Sequence, residues 1–304
     1  MTVREAILEG TARLTERGVE TPYLDATVLL AFCMGITKEH LFAELLRTVP
    51  AGALGNFRDS IARRERGIPV SYIRRQKEFY GRLFYVDERV LVPRPDTETA
   101  VEAALEILDR RMRARAGTRA GGRAGGRIGE RRDASEADAL RVLDCCTGSG
   151  AIAVTLAAER PGIEVGGCDI SEGARDVFVL NSRRILGAEL PFHAADVLDG
   201  VPGTWDLIVA NPPYLTSDEV AEMQRRGWPE PPDALDGGAD GLELVRRLIR
   251  EALHSLKSYG YLVIEVADEQ NMGVRALLQD AGYEDIGTRE DLAGRRRVVI
   301  GRRR

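Results

Sequence analysis

The sequence predicts an α/β fold, a Rossmann-like layer on a mainly parallel sheet, preceded by a small helical domain. Three observations carry that expectation. From Leu140 onward, short apolar runs alternate with helical stretches, the rhythm of βα units. In residues 1–75, apolar side chains recur only at helical spacing. Between them, residues 76–92 read as a hairpin joining the helical domain to a larger domain over 93–304.

In the first domain Ala6, Ile7 and Leu14, then Ala26, Val28, Leu29, Leu30 and Phe32, mark helices. Thr21-Pro22 and Thr48-Val49-Pro50 punctuate them, and Thr37 is placed to cap a helix over 38–46. His40 reads as a surface or packing residue. In the hairpin, Phe79-Tyr80, the run 83–86 and the run 90–92 are separated by Gly81-Arg82 and Asp87-Glu88. Pro93-Arg94-Pro95-Asp96-Thr97-Glu98 then leads into a helix over 100–108, with Asp96 as its cap and Glu98 in its first turn. Residues 110–138 read as a flexible loop, because nine Arg fall between 110 and 133 among glycines, with few apolar groups to bury. Strands follow at 141–143, 164–168, 190–193, 207–210, 261–266 and 297–300, with helices at 151–159, 173–186, 242–256 and 272–281.

Composition bounds what such a chain does. Its 304 residues are 44% hydrophobic and 30% charged, enough for a large domain plus a small one. No run approaches the ~18 apolar residues that span a membrane, and early acidic residues argue against a secretory signal, so cytoplasmic residence is expected. Cys33, Cys145, Cys146 and Cys168 show no metal-ligand spacing and fit reduced thiols, so no metal is expected. A net charge of −5 disfavours nucleic acid as the main partner.

The segment 142–150, Val-Leu-Asp-Cys-Cys-Thr-Gly-Ser-Gly, is a strand, an acid and a tight turn opening a helix, where backbone approaches a ligand closely. It is neither the dinucleotide G-x-G-x-x-G nor a phosphate loop, and it carries no Lys or Arg to meet a pyrophosphate. Asp169, nineteen residues past Gly150, ends the next strand, placed for ribose hydroxyls. Asp196 follows the third strand, where an adenine would lie. A ligand with ribose and adenine but no phosphate fits best, and S-adenosylmethionine is such a ligand, with Asp144 near its positive amino-acid end. The cofactor set is therefore Asp144, Cys146, Thr147, Gly148, Ser149, Gly150, Asp169, Asp196, Val197 and Asn211.

Asn211-Pro212-Pro213-Tyr214 follows the buried run 205–210. Neither proline has an N–H, so the segment leaves the sheet as a stiff turn. That turn presents acceptors: the Asn211 side-chain oxygen and the Pro212 carbonyl. With Tyr214 beside them, they suit a planar –NH2 gripped by both hydrogens. Asn211, Pro212 and Tyr214 are the candidate catalytic residues, and Pro213 joins them in the substrate set. His193 and His254 read as structural, since no strong general base is needed.

At this point the chain resembles the HemK/PrmC class of protein-(glutamine-N5) methyltransferases, which act on peptide chain release factors. The resemblance rests on Ile68-Pro69-Val70-Ser71-Tyr72, Glu78-Phe79-Tyr80-Gly81, the 92–98 segment, the 143–152 loop and Asn211-Pro212-Pro213-Tyr214. Glu230-Pro231, Ala234-Leu235-Asp236-Gly237-Gly238 and Asp240-Gly241-Leu242 follow the same pattern. It implies a class I S-adenosylmethionine-dependent methyltransferase domain, methylation of the glutamine in a release factor's Gly-Gly-Gln motif, docking of the factor on the helical domain, and action as a monomer. Departures are Cys146 for the loop's first glycine, Cys145 for an aliphatic residue, Val197 for an aromatic beside the adenine, and the Arg/Gly-rich loop. Three other readings stand beside it: a glutamine methyltransferase of a ribosomal protein, a DNA N6-adenine methyltransferase, and a cofactor-binding module without activity. DNA needs a basic groove, whereas residues 1–75 hold 11 basic against 9 acidic side chains.

Overall fold

The computed structural model describes residues 1–121 and 139–304. It divides into two compact units, one of Met1–Gln76 with Val86–Glu88 and Met223–Pro229, the other of Lys77–Tyr85, Arg89–Glu222 and Glu230–Arg304.

The first unit contains helices α1 (Val3–Glu16), α2 (Pro22–Met34), α3 (Lys38–Ala43), α4 (Ala51–Glu65) and α5 (Val70–Arg74). A capping box opens α1, in which Thr2 and Glu5 each bond the other's backbone N–H. Thr37 caps α3 as expected, accepting from the His40 N–H, but that helix ends at Ala43 rather than 46. Val3, Ile7, Leu14, Leu29, Leu30, Leu41, Phe57 and Ile61 form the unit's core.

The second unit begins with a hairpin, β1 (Lys77–Phe79) and β2 (Arg82–Phe84). Its turn is Tyr80-Gly81, both left-handed (φ 48° and 69°), the geometry of a type I′ turn. The expected third strand at 90–92 is absent. The Val92 N–H donates to Glu230 Oε1 (3.0 Å), and the Tyr85 N–H donates to Asn181 Oδ1 (2.7 Å), so side chains satisfy the backbone that a strand would have paired. Asp96 does not cap the next helix. A 3-10 turn over Pro95–Thr97 precedes α6 (Glu98–Gly121), and the Asp96 carboxylate pairs instead with Arg295 and Arg297. Glu98 is in the first turn of α6 as expected, and accepts from the Tyr80 N–H. The expected loop from residue 110 is helical through Gly121; its remainder, 122–138, lies outside the described residues. Arg111 and Arg115, one turn apart, both reach buried Asp206, so charge anchors a stretch that apolar burial does not.

The main sheet comprises β3 (Arg141–Cys145), β4 (Glu164–Asp169), β5 (Phe192–Ala194), β6 (Trp205–Ala210), β7 (Leu256–Glu265), β8 (Glu284–Glu290) and β9 (Arg296–Arg302), in the order β5-β4-β3-β6-β7-β9-β8. The first five are parallel neighbours, and β9 runs antiparallel to both β7 and β8. Helices α7 (Ala151–Glu159), α8 (Glu172–Leu186), α10 (Glu243–Ser255) and α11 (Asn271–Asp280) complete the unit, and α9 (Ser217–Arg225) begins in it and ends in the Met223–Pro229 segment of the first. Alternate strand residues feed opposite cores. Val142, Leu207, Val209 and Val263 pack with α6 and α7, whereas Leu143, Ile208, Leu262 and Ile264 pack with α10 and α11. The strand order reverses between β3 and β6, and the carboxyl ends of those two strands carry the glycine loop and Asn211.

Candidate active site

Strand β3 delivers a loop whose backbone turns left-handed at Cys146 (φ 59°), Gly148 (φ 52°) and Gly150 (φ 80°). Two of these are the glycines that such a path favours; Cys146 takes it at a cost of about 1 kcal/mol or more. A Cβ at Gly148 would meet nothing within 4 Å, so the loop faces open space there. Beneath the loop lies fully buried Asp144. Its Oδ2 accepts from the Thr147 hydroxyl (2.6 Å) and the Ala153 N–H (3.0 Å), while Oδ1 is buried without a partner among the described residues. Burial, aided by Asp169, pushes Asp144 up to about 7 against those two hydrogen bonds.

Asp169 ends β4 and accepts from the Gly148 N–H (2.9 Å) and the Ser171 N–H (3.0 Å). Burial raises it, and those backbone donors oppose the rise. Past β5, the Asp196 carboxylate pairs with Arg247 at 3.1 Å. Val197 is left-handed (φ 60°), an outlier for a β-branched residue. Its carbonyl accepts from the thiols of Cys168 (3.3 Å) and Cys145 (3.6 Å), which brace that conformation.

Fully buried β6 ends at Ala210, which pairs with Cys145, so Asn211 emerges level with the glycine loop. Asn211 Nδ2 donates to Thr97 Oγ1 at 3.2 Å. Near this strand end lies Glu265, the last residue of β7, a buried acid that burial raises to about 7. The glycines of the 234–242 segment have a packing reason. A Cβ at Gly237 would stand 2.7 Å from the Pro213 carbonyl oxygen, and one at Gly241 would stand 2.4 Å from that of Tyr214. Backbone can therefore lie against the Asn-Pro-Pro-Tyr turn, and Gln270 Nε2 ties Tyr214 O (2.8 Å) to Gly241 O (3.2 Å).

These elements surround a cavity of about 640 Å³, within the range of small-molecule sites. Cys146, Thr147, Gly148, Ser149, Asp169, Asp196, Val197, Asn211 and Pro213 line it. Four expected residues stand off its wall. Asp144 lies under the loop, Gly150 starts α7 with Phe178 against it, Pro212 is buried, and Tyr214 is half-buried. Burial pushes the Tyr214 phenol up, and Glu265 adds to the rise. The residue reading missed Arg89–Leu91, Thr97, Asp233 and Glu243 on the wall, and Glu265 behind it. A lone acid closing the apolar run 261–264 was the one available signal for Glu265. His193 lies off the cavity, its ring 6.3 Å from that of Trp205. Among the described residues, no cluster of His, Cys, Asp or Glu is arranged to hold a metal.

A family model described as "PrmC N-terminal domain" matches residues 5–74, and one described as "Methyltransferase small domain" matches residues 133–225. A release factor glutamine methyltransferase of Moorella thermoacetica is 35% identical over 100% of this chain and 99% of its own length. The chain belongs to the release factor glutamine methyltransferase family. Members from Koribacter versatilis, covering 100% of this chain and 99% of their own, and Bacillus subtilis, covering 98% and 96%, are each 33% identical. Like the family, this chain is an S-adenosylmethionine-dependent methyltransferase. The cavity fits that cofactor: Asp169 offers acceptors to hydroxyls, and the loop holds no cation for a phosphate.

Asp144 also gives the site a pH signature. Its folded-state value of about 7 lies above the ordinary 3.8, so between those values the folded state holds a proton that the unfolded chain has lost. Stability therefore falls as pH rises through that window. Asp144→Asn keeps an acceptor for Thr147 and Ala153 but carries no charge. The variant should match the parent near pH 4 and melt several degrees above it at pH 8, measured without cofactor. Parallel Tm profiles would refute a buried, raised Asp144.

Proposed function

We propose that this enzyme transfers the methyl group of S-adenosylmethionine to the side-chain amide nitrogen, N5, of the glutamine in a release factor's Gly-Gly-Gln motif. The observation that carries the reading is the setting of Asn211, beside the glycine loop at the reversal of strand order, with its Nδ2 held on Thr97. That bond leaves Oδ1, without a partner among the described residues, as the acceptor. The cofactor supplies an electrophilic methyl on a sulfonium.

An amide nitrogen is a poor nucleophile, because its lone pair is shared with the carbonyl. Two acceptors, Asn211 Oδ1 and the Pro212 carbonyl, hold the two N–H groups and favour pyramidal nitrogen in line with the methyl. As the N–C bond forms and the S–C bond breaks, positive charge grows on nitrogen, and the same acceptors stabilise it. The alkylated nitrogen then loses a proton to water, so no strong base is required. Tyr214 packs beside the amide, Pro213 shapes the wall, and the loop residues with Asp169, Asp196 and Val197 seat the cofactor.

The acceptor class is supported by the full-length similarity to proteins named for release factors and by the acidic balance of the chain. The helical unit is the docking element in this reading; Leu8, Tyr23, Leu24, Phe42 and Leu46 are exposed there. The enzyme then works as a monomer in the cytoplasm, and no helix among the described residues is long and apolar enough to cross a membrane. Methyl-labelled S-adenosylmethionine incubated with purified release factor, ribosomal proteins and duplex DNA tests the assignment. Label is expected in the release-factor glutamine; label in DNA or ribosomal protein alone would replace this acceptor with a rival.

A further inference from the structure

We propose that Glu230 is a positioning residue for the glutamine side of the cavity, its one buried carboxylate tying together two irregular strips of the wall. The inference rests on the glutamine-methylation reading and adds a residue to it.

One strip is 89–97, with Pro93 and Thr97 on the wall; the other is 230–238, with Pro231, Ala234 and Asp236 on it. Each begins where the chain enters the second unit again, at Arg89 and at Glu230. Apart from 3-10 turns at Pro95–Thr97 and Pro232–Ala234, neither strip has a helix or strand whose backbone ladder would hold it. Both strips nevertheless reach the Asn-Pro-Pro-Tyr turn. Thr97 Oγ1 accepts from Asn211 Nδ2. Leu215, the residue after Tyr214, donates its N–H to the Leu235 carbonyl (3.0 Å) and accepts from the Gly237 N–H (2.8 Å).

Glu230 is 3% exposed and stands off the wall, and its carboxylate joins the strips. Oε1 accepts from the Val92 N–H (3.0 Å), and Oε2 pairs with the Arg94 guanidinium. Val92 and Arg94 flank Pro93, and Glu230 precedes Pro231, so the carboxylate fixes these two wall prolines relative to each other. Val92 is buried, and no ladder supplies an acceptor for its N–H. An amide would serve that N–H at a lower cost of burial, so the charge is explained by Arg94. The cofactor side has holds of its own. Arg89, at the start of the first strip, pairs with Asp176 at 3.2 Å, and a Cβ on Gly173 would stand 3.1 Å from its Cβ. The glycine loop is held by the Thr147 N–H on the Cys168 carbonyl (3.0 Å) and by the Gly148 N–H on Asp169. Loosening Glu230 therefore disturbs the glutamine side and spares the cofactor side.

Three variants test the tie. Arg94→Met removes the ion pair from its exposed end, Glu230→Gln removes the charge but keeps an oxygen for Val92, and Glu230→Met removes both bonds. The first two should each lower kcat/KM for the release factor about 10-fold and the third about 100-fold, with S-adenosylmethionine affinity near that of the parent. Only Glu230→Met risks misfolding, and the other two carry the test without it. Arg94→Met combined with Glu230→Gln should be no worse than either alone, because each breaks the same pair. Parental kcat/KM in Arg94→Met or Glu230→Gln, additive losses in the double variant, or cofactor affinity falling as far as kcat/KM would each overturn the tie and leave the methylation reading intact. A parent that fails to methylate the release factor would instead overturn that reading. Amide hydrogen exchange still reads the tie in that case. Exchange in 89–94 and 231–238 should be faster in Glu230→Gln than in the parent, with 142–150 unchanged, and equal rates in the two strips overturn the tie.

Discussion

Asn211→Ala is expected to lower kcat for glutamine methylation by about 10³-fold or more, with S-adenosylmethionine affinity within a few-fold of the parent. The size follows from what the side chain supplies. Removing one preorganised group aimed at charge that develops in a transition state costs about 10²–10³ in kcat. Here the same group also orients the nucleophile, so its loss is felt in geometry as well. Cofactor affinity should hold, because Asp169 and the 146–149 backbone form that part of the wall. Fold should hold too, since Asn211 lies beyond the last residue of β6 and its side chain is bonded to Thr97 alone among the described contacts. Asn211→Asp gives a sharper version. It presents acceptors but cannot donate to Thr97, and it places a second carboxylate near Glu265, so it should also fail. Single-turnover methyl transfer beside calorimetric cofactor binding separates these effects. An alanine variant with parental kcat would remove Asn211 from the chemistry.

How much of this was legible before folding depends on the range of the interaction. The glycine loop, Asp169 and Asn211-Pro212-Pro213-Tyr214 announce themselves through local chemistry, since each needs particular residue types at short spacing. Strands β3, β4 and β6 show as apolar runs because both faces are buried. Strand β8 does not, because Glu-Asp-Ile-Gly-Thr-Arg-Glu lies at the sheet edge and carries little apolar signal. Helix α9 was missed for a related reason, with Val220 its only buried residue. Asp96 looked like a capping residue for α6. Its actual partners, Arg295 and Arg297, like the Asn211 side chain bonded to Thr97, are brought there only by the strand order. The same is true of the second half of α6, whose arginines look solvated until Asp206 is placed beside them.

Asp206 accordingly carries the largest stability effect expected of a single substitution. It sits within β6 with no exposed surface, and its four bonds join separate elements. Oδ1 accepts from Arg111 (2.9 Å) and Arg115 (3.0 Å) of α6; Oδ2 accepts from the Arg141 N–H of β3 (3.0 Å) and from Lys257 of β7 (2.7 Å). Burial pushes this carboxyl up, but Lys257, the Arg141 N–H and Arg111 outweigh it, and it is held below its ordinary value. A depressed folded-state value means that the contribution is present above about pH 4 and is lost as acid protonates the group. Asp206→Ala leaves three cations facing one another and a buried N–H without its acceptor. Breaking a buried pair costs about 3–5 kcal/mol; because Arg111, Arg115 and Lys257 keep some exposure and can rehydrate, the lower end is expected. Urea unfolding at pH 7 should show that loss, and the gap to the parent should close as pH falls below 4. Helicity should drop at the same time, since the apolar packing of α6 ends at Leu108 and its later turns depend on these charges. Unchanged stability with unchanged helicity would mean that α6 extends past Leu108 by propensity alone.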